Sequence, residues 1–243
     1  MKIKTIFATV GAMIAVALLL VATIWASHVP DDMVCQEMRI VIGDSATHQF
    51  VGVDELQRTL KRNGILPVGM KMKDVSCQAI EEILLEHSML RTAECYKLSS
   101  GVIRVDVTQR VPILYVSTAE GSYFVDMDRK VMPVRSSIQV EVPILRGEIT
   151  SQSATEEYYD FVQWLTHNRY WKGRITTIYA RSPRYIVLSQ REVEGSIILG
   201  ELDGYERKMA RLRKLYVDGF EEIGYKSYKE YDLRFDGQVI GRK

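Results

Sequence analysis

VIRVDVTQRVPILYVST, residues 102–118, holds the junction on which the fold turns. Ile103, Val105 and Val107 alternate with Arg104, Asp106 and Thr108, and this period of two predicts a strand over 102–110 with one buried face. One part of the chain ends at Val111. A second, richer in strands, begins at Pro112 with ILYVST, 113–118.

Toward the amino terminus, LRTAECYKL (90–98) reads as a strand joined to the first through Ser99-Ser100-Gly101. Two helices precede it. VDELQRTLKRNG places Leu56 and Leu60 four apart and stops at Asn63-Gly64. DVSCQAIEEILLEH is expected to be capped by Asp74, with Ile80, Ile83 and Leu84 on one face. CQEMRIVI (35–42) opens the module as a strand. The order strand, helix, helix, strand, strand lets two helices cover one face of a small three-stranded sheet.

Toward the carboxyl terminus, YFVD (123–126), VMPV (131–134), VPILRG (142–147), ITTIYA (175–180), YIVLSQ (185–190) and SIILG (196–200) read as short strands. Between them Ser153 and Glu156 form a capping-box pattern for a helix to about Asn168, with Tyr158, Phe161 and Leu165 inward. Asp203 and Glu206 repeat the pattern for a helix to about Phe220. Its stripe of Tyr205, Met209, Leu212 and Tyr216 faces the core, while Arg207, Lys208, Arg211, Arg213 and Lys214 form a basic face. Tyr231, Leu233 and Phe235 alternate with Asp232, Arg234 and Asp236, predicting a last strand over 231–235, followed by a turn or bulge at Asp236-Gly237. Successive short strands imply a mostly antiparallel sheet with covering helices, so the expected class is α+β.

The amino terminus decides the compartment. Thr5 to Ala26 carries no charge over 22 residues, about 33 Å as a helix and close to the ~30 Å bilayer core. Lys2 and Lys4 precede it, and Asp31, Asp32 and Glu37 follow. The positive-inside rule then places residues 1–4 in the cytoplasm, 5–26 in the membrane as an uncleaved signal anchor, and the rest outside. A cleaved signal peptide is the alternative, with a shorter apolar region than this. The formal net charge of +1 gives no global case for a nucleic acid or an acidic partner. Cys35, Cys77 and Cys95 are odd in number, so they either pack as buried thiols or leave at least one unpaired.

No catalytic constellation is present: there is no G-x-S-x-G, H-E-x-x-H, S-x-x-K, P-loop or G-x-G-x-x-G. His28, His48, His87 and His167 are scattered and read as solvated. Asp126-Met127-Asp128 reads as hairpin-turn chemistry rather than a metal site, and Glu81, Glu82 and Glu86 as a solvated helix face. No cofactor and no metal are expected. A terminal strand with an open edge, by contrast, can accept a strand from another chain.

The order of parts resembles the bacterial cell-division family FtsQ/DivIB. VDVTQRVPIL (105–114) is similar to that family's passage from a POTRA module into its β domain. YFVDMDRKVMPV (123–134) resembles its hairpin, VPILRG its "leu-Pro-x-leu-x-Gly" strand, GYERKMARL (204–212) its helix opening, and YDLRFDGQVI (231–240) its closing strand. The hairpin departs from the family in carrying Arg129 and Lys130 where a Gly is usual. Phe235 replaces the commoner Tyr, and Gln238 stands where small residues are frequent.

The resemblance implies domains at 27–111 (stalk and POTRA-like) and 112–243 (β domain). It also implies a non-enzymatic divisome scaffold in the inner membrane at the septum, which binds FtsB- and FtsL-type partners and links early division proteins to septal peptidoglycan synthesis. The POTRA-like module and membrane helix would recruit other division proteins. An FtsB segment would add as a strand at Tyr231, Leu233, Phe235 and Gly237, with Asp232, Arg234 and Val239 beside it and Arg211 and Lys214 facing acidic groups. Two other classes are weighed against this: a membrane-anchored cell-wall enzyme, and a POTRA component of assembly or secretion.

Overall fold

A computed structural model describes residues 13–19, 21, 32–43, 50–135, 140–219 and 228–243. The expected membrane helix, Thr5–Ala26, lies largely outside these. Residues 13–19 and Val21 are helical, and among the described residues no helix is long and apolar enough to cross a membrane. His28 and His48 also lie outside them. The chain divides into two compact units, Met1–Gln109 and Arg110–Lys243.

In the first unit, β1 (Glu37–Ile42), β2 (Leu90–Lys97) and β3 (Val102–Gln109) form a sheet ordered β1-β3-β2. β1 runs parallel to β3 and β2 antiparallel to it. The alternation quoted above buries Ile103, Val105 and Val107, and the helices bury Leu56 and Leu60 of α1 (Val53–Arg62) and Ile80 and Leu84 of α2 (Cys77–Leu85). Ser76, rather than Asp74, caps α2, accepting from Ala79 N at 3.1 Å, because Asp74 is spent in a 3-10 turn from Met72 to Asp74. Gln109 is buried, and its Oε1 accepts from Phe50 N at 2.8 Å and Val51 N at 3.0 Å, tying the end of β3 to the start of α1.

Two residues read as solvated are structural. His87 Nε2 lies 3.2 Å from Glu55 Oε1, with its ring 9% exposed, joining the ends of the two helices. Glu81 Oε1 accepts the Cys95 amide at 2.7 Å.

The second unit is a nine-stranded sheet ordered β12-β11-β10-β9-β8-β7-β4-β5-β6. Its strands are β4 (Pro112–Thr118), β5 (Gly121–Asp126), β6 (Val131–Pro133), β7 (Ile144–Gly147), β8 (Ile175–Ser182), β9 (Tyr185–Gln190), β10 (Ser196–Gly200), β11 (Glu230–Asp232) and β12 (Ile240–Arg242). Most pairings are antiparallel, while β4-β7, β7-β8 and β10-β11 are parallel. Parallel neighbours need a crossover, and the helices occupy two of them. α3 (Ser151–Thr155) and α4 (Glu157–His167) connect β7 to β8, and α5 (Tyr205–Lys214) lies between β10 and β11. Tyr158, Phe161 and Leu165 of α4 and Met209 and Leu212 of α5 share one core with Leu145, Ile178, Leu188, Ile197, Tyr231 and Leu233 of the sheet side. Tyr205 meets Phe161 edge-on at 5.0 Å, so the two helices also pack on each other.

The helix starts differ from expectation. Thr150 and Ser153 make the capping box, one turn early, and Glu156 (φ −112°, ψ −91°) breaks the run between α3 and α4. Gly204, at φ 56°, begins α5 without a side-chain cap, since the Asp203 carboxylate is taken by Lys208 at 2.9 Å. Lys208 thereby holds the Asp203 carboxyl below the usual carboxylate range. In the β5–β6 turn Arg129 takes φ 63°, where glycine is favoured. Its guanidinium compensates by reaching Asp160 at 2.6 Å and the Thr155 carbonyl at 3.1 Å, and by stacking over Tyr159. The buried Asp126 organises that turn as expected: Oδ1 accepts from the amides of Asp128 and Lys130, and Oδ2 pairs with Arg110 at 2.7 Å.

Two outcomes follow from these contacts. A Cβ on Gly147 (φ 114°) would sit 2.0 Å from the Ala180 carbonyl oxygen across the parallel β7-β8 pair. Gly147→Ala is therefore expected to cost at least about 2 kcal/mol, read by urea denaturation. Cys77 lies one turn before Glu81 on α2, and Glu81 accepts the Cys95 amide, so the two cysteines are neighbours. Burial and this neighbour push Cys95 up, whereas Cys35 is fully buried elsewhere. Oxidised glutathione is expected to link Cys77 to Cys95, with loss of two hydrogens and release of reduced glutathione. Peptide mapping that found Cys35 in the bond would contradict this geometry.

Candidate functional site: the C-terminal edge of the large sheet

The last strands are shorter than the alternation over 231–235 predicts. β11 covers only Glu230–Asp232, pairing with β10 as Ser196↔Glu230, Ile197↔Tyr231 and Ile198↔Asp232. Leu233 N extends this side, donating to Ile198 O at 2.9 Å. After a turn through Asp236 and Gly237 (φ 74°), the chain returns as β12, antiparallel to β11. The far side of Tyr231–Asp232 is thus covered by the chain itself, and the edge expected at 231–235 is displaced to Ile240–Arg242. An Asp-Gly pair supplies the reversal, and the following Val239-Ile240 supplies the returning apolar residues.

Burial sorts the expected site residues. Tyr231, Asp232 and Leu233 are fully buried. Tyr231 packs edge-on against Tyr216 at 5.3 Å and against Tyr228 at 6.1 Å. Arg234, Phe235 and Gly237 are exposed and Val239 is half-buried. Lys214 is exposed on α5, and Arg213 lies over Tyr170 at 5.3 Å.

Asp232 is the electrostatic centre. Oδ1 accepts from Arg234 N at 3.2 Å and Nε at 2.9 Å. Oδ2 accepts from Arg234 Nη2 at 2.7 Å and Arg242 Nη2 at 3.2 Å. The hydrogen bonds from Arg234 outweigh burial and hold the carboxyl below the usual carboxylate range. Arg242 also reaches Glu230 at 3.5 Å, so one carboxylate and two arginines join β11, the loop and β12. Arg242 was not among the expected site residues. Its signal in the sequence is a second arginine just beyond an apolar pair, with an acid on the strand it returns to.

Arg211 does not face outward as a free cation. Its Nη1 binds Asp236 at 3.1 Å, and Nη2 donates to the carbonyls of Phe235 at 3.2 Å and Leu233 at 3.3 Å. It therefore fastens the loop to α5. Beside it a cleft of about 370 Å³ is lined by Arg184, Arg207, Lys208, Arg211 and Arg234 against Glu201, Asp203 and Asp236. Phe235 stands at 42% exposure next to this cationic surface.

The two edges of the large sheet differ. β6 has Pro133 within it, and proline cannot donate to a ladder, which blunts an edge. β12 has no proline, and no described strand lies beyond it. The arrangement can present backbone N–H and C=O groups to an incoming segment. Among the described residues no group of His, Cys, Asp or Glu could hold a metal ion.

The model of the FtsQ/DivIB C-terminal related family matches residues 111–242, and that of the POTRA-like domain matches residues 33–108. The chain belongs to the FtsQ/DivIB family. No curated protein matches it. Domains of the FtsQ/DivIB and POTRA types are generally non-catalytic scaffolds, and membership of the FtsQ/DivIB family implies a role in division and interaction with other divisome proteins. Family members are typically anchored in the membrane at the septum.

Neutralising Asp232 is expected to loosen the edge. Asp232→Asn should cost about 2–4 kcal/mol in chemical denaturation, because two arginines lose a buried counter-charge. The folded carboxyl titrates below its unfolded value near 3.9. Its stabilisation is thus complete above about pH 4 and lost as pH falls through the lower, folded value. Acid unfolding of the wild type should carry this dependence, and the Asn variant should lack that share of it.

Proposed function

We propose that the chain is a non-enzymatic, single-pass divisome scaffold that works by lending the edge of its large sheet to a partner of the FtsB/FtsL type. Residues 1–4 lie in the cytoplasm, 5–26 form the anchor, and the POTRA-like part (27–111) and β domain (112–243) lie in the periplasm. The POTRA-like module recruits other division proteins, and the complex governs septal peptidoglycan synthesis.

The observation that carries the reading is a terminal strand without proline, β12, beyond which no described strand lies and which the Asp232–Arg234–Arg242 cluster fastens to the core. In strand addition the main chain supplies affinity and exposed side chains supply specificity. In this reading Arg234, Phe235, Gly237 and Val239, in the exposed loop leading to β12, contact the incoming segment. Tyr231, Asp232, Leu233 and Arg211 act at one remove, by holding the edge in position. Lys214 and the cationic cleft favour a segment with acidic residues.

Copurification with FtsB tests this. Removing residues 238–243 takes away β12 and leaves the buried Tyr231 and Leu233 in place, so binding should be lost while the circular dichroism of the domain is retained. Phe235→Lys should weaken binding at least about tenfold, an anchor-residue loss of about 1.4 kcal/mol or more. Undiminished binding by the truncated chain would exclude strand addition at this edge.

A further inference from the structure

The POTRA-like unit has one end unlike the rest of its surface. The chain enters the unit through Met33 and Val34, which lie along the loop that follows α1. Met72 N donates to Met33 O, Cys35 N to Met70 O and Gly69 N to Cys35 O, each at 2.8 Å, and Val34 bridges Lys71. The strand pairings bring the β2–β3 turn to this same end: Gln36 N donates to Gly101 O at 2.9 Å, and a Cβ on Gly101 would lie 3.2 Å from Val34 O.

Large apolar side chains are exposed here together. Leu66 is 56% exposed, Val68 58%, Met70 43%, Val34 43% and Leu98 38%. Pro67 is turned inward between Leu66 and Val68. The loop is held from within, by Ile65 N to Leu60 O at 3.0 Å and Met70 N to Pro67 O at 3.0 Å, so its apolar residues stay outside without fraying. Around this tip stand exposed cations: Lys61 and Arg62 lead into the loop, and Lys71 and Lys73 leave it, against Asp32 and Asp74.

We propose that this end of the POTRA-like unit, the loop Leu66–Met70 with Val34 and Leu98, is seated in the headgroup boundary of the bilayer that holds the chain's anchor, with the flanking cations on anionic lipid phosphates. The proposal rests on the anchor reading of residues 5–26. Ala26 and Met33 are seven residues apart, at most about 25 Å fully extended, so the bilayer surface is within reach of this end. An apolar tip ringed by lysine and arginine is the pattern of interfacial insertion: the side chains enter the acyl boundary and the long cationic stems stay at the phosphates. A solvated surface scatters single apolar residues; this one gathers five around the chain's point of entry. The unit then stands on its tether with the entry end against the lipid.

The test uses the full chain in vesicles of phosphatidylcholine, with and without phosphatidylglycerol. In a Trp25→Phe background, whose remaining emission from Trp164 and Trp171 is measured on the parent chain and subtracted, Val68→Trp places a reporter on the tip, and Leu85→Trp places one on the exposed end of α2, where the helix leads away toward the start of β2. The expected result is blue-shifted emission for the tip reporter and loss of most of it to lipids brominated high on the acyl chain, more so with phosphatidylglycerol. The Leu85→Trp emission should be unchanged. Leu66→Trp repeats the reading should Val68→Trp misfold. Equal, unquenched emission from both positions overturns the proposal, including the case in which the tip becomes protected only on adding a protein partner. Carbonate extraction reports the anchor separately: a chain that resists extraction with an unquenched tip refutes the lipid contact alone. A chain that is extracted refutes the anchor, and the quenching still decides the contact.

Discussion

A carboxylate without exposed surface has to be answered by cations, and Asp232 sets the end of the large sheet by that requirement. It lies on β11, a strand of three residues whose main-chain bonds alone would hold it weakly. Arg234 satisfies the carboxylate from the loop and Arg242 from the returning strand. The two arginines approach from opposite ends of the turn: Arg234 pairs the charge locally, and Arg242 adds one further hydrogen bond from the returning strand. Arg242 thereby ties β12 to the charge on β11, beside the main-chain pairing of the two strands. Arg211 adds a second tie, from helix to loop, through three acceptors.

The same economy runs through the rest of the β domain. Two of the three parallel pairings are reached through helical crossovers, and those helices fill the core that the strands expose. Gly147 allows β7 to lie against β8 at a separation no side chain would permit. Arg129 accepts an unfavourable backbone angle, which costs roughly 1–2 kcal/mol, and offsets it with contacts to Thr155, Tyr159 and Asp160. A turn position that glycine would fill at no steric cost here links the β5–β6 hairpin to the helix pair.

Much of this was legible in the residues. Alternation located the long strands, and the stripes Leu56–Leu60 and Tyr205–Met209–Leu212–Tyr216 located the inward helix faces, because burial repeats with the geometry of the backbone. Caps were less legible. Thr150, Ser153 and Glu156 stand three apart, so two overlapping boxes compete, and only the backbone break at Glu156 decides between them. Asp203 has the right type and spacing for a cap but a lysine within reach. β12 escaped because three residues carry no period. Asp232 looked like a polar, outward position on an alternating strand. Its burial comes from β12 and the arginines, none of which the local pattern encodes. The exposed or buried state of His87 and Glu81 likewise depends on partners 32 and 14 residues away.

The brevity of β12 has a consequence for how any strand laid against it behaves. Three residues can offer only a few main-chain hydrogen bonds, each worth about 0.5–1.5 kcal/mol net, which is less than association in free solution demands. A contact of that size is occupied mainly when something else keeps the two chains near each other, since confinement replaces a bimolecular search by an effective concentration. The edge would then read crowding at a site as much as identity of a partner, filling where tethered chains gather and emptying when they disperse.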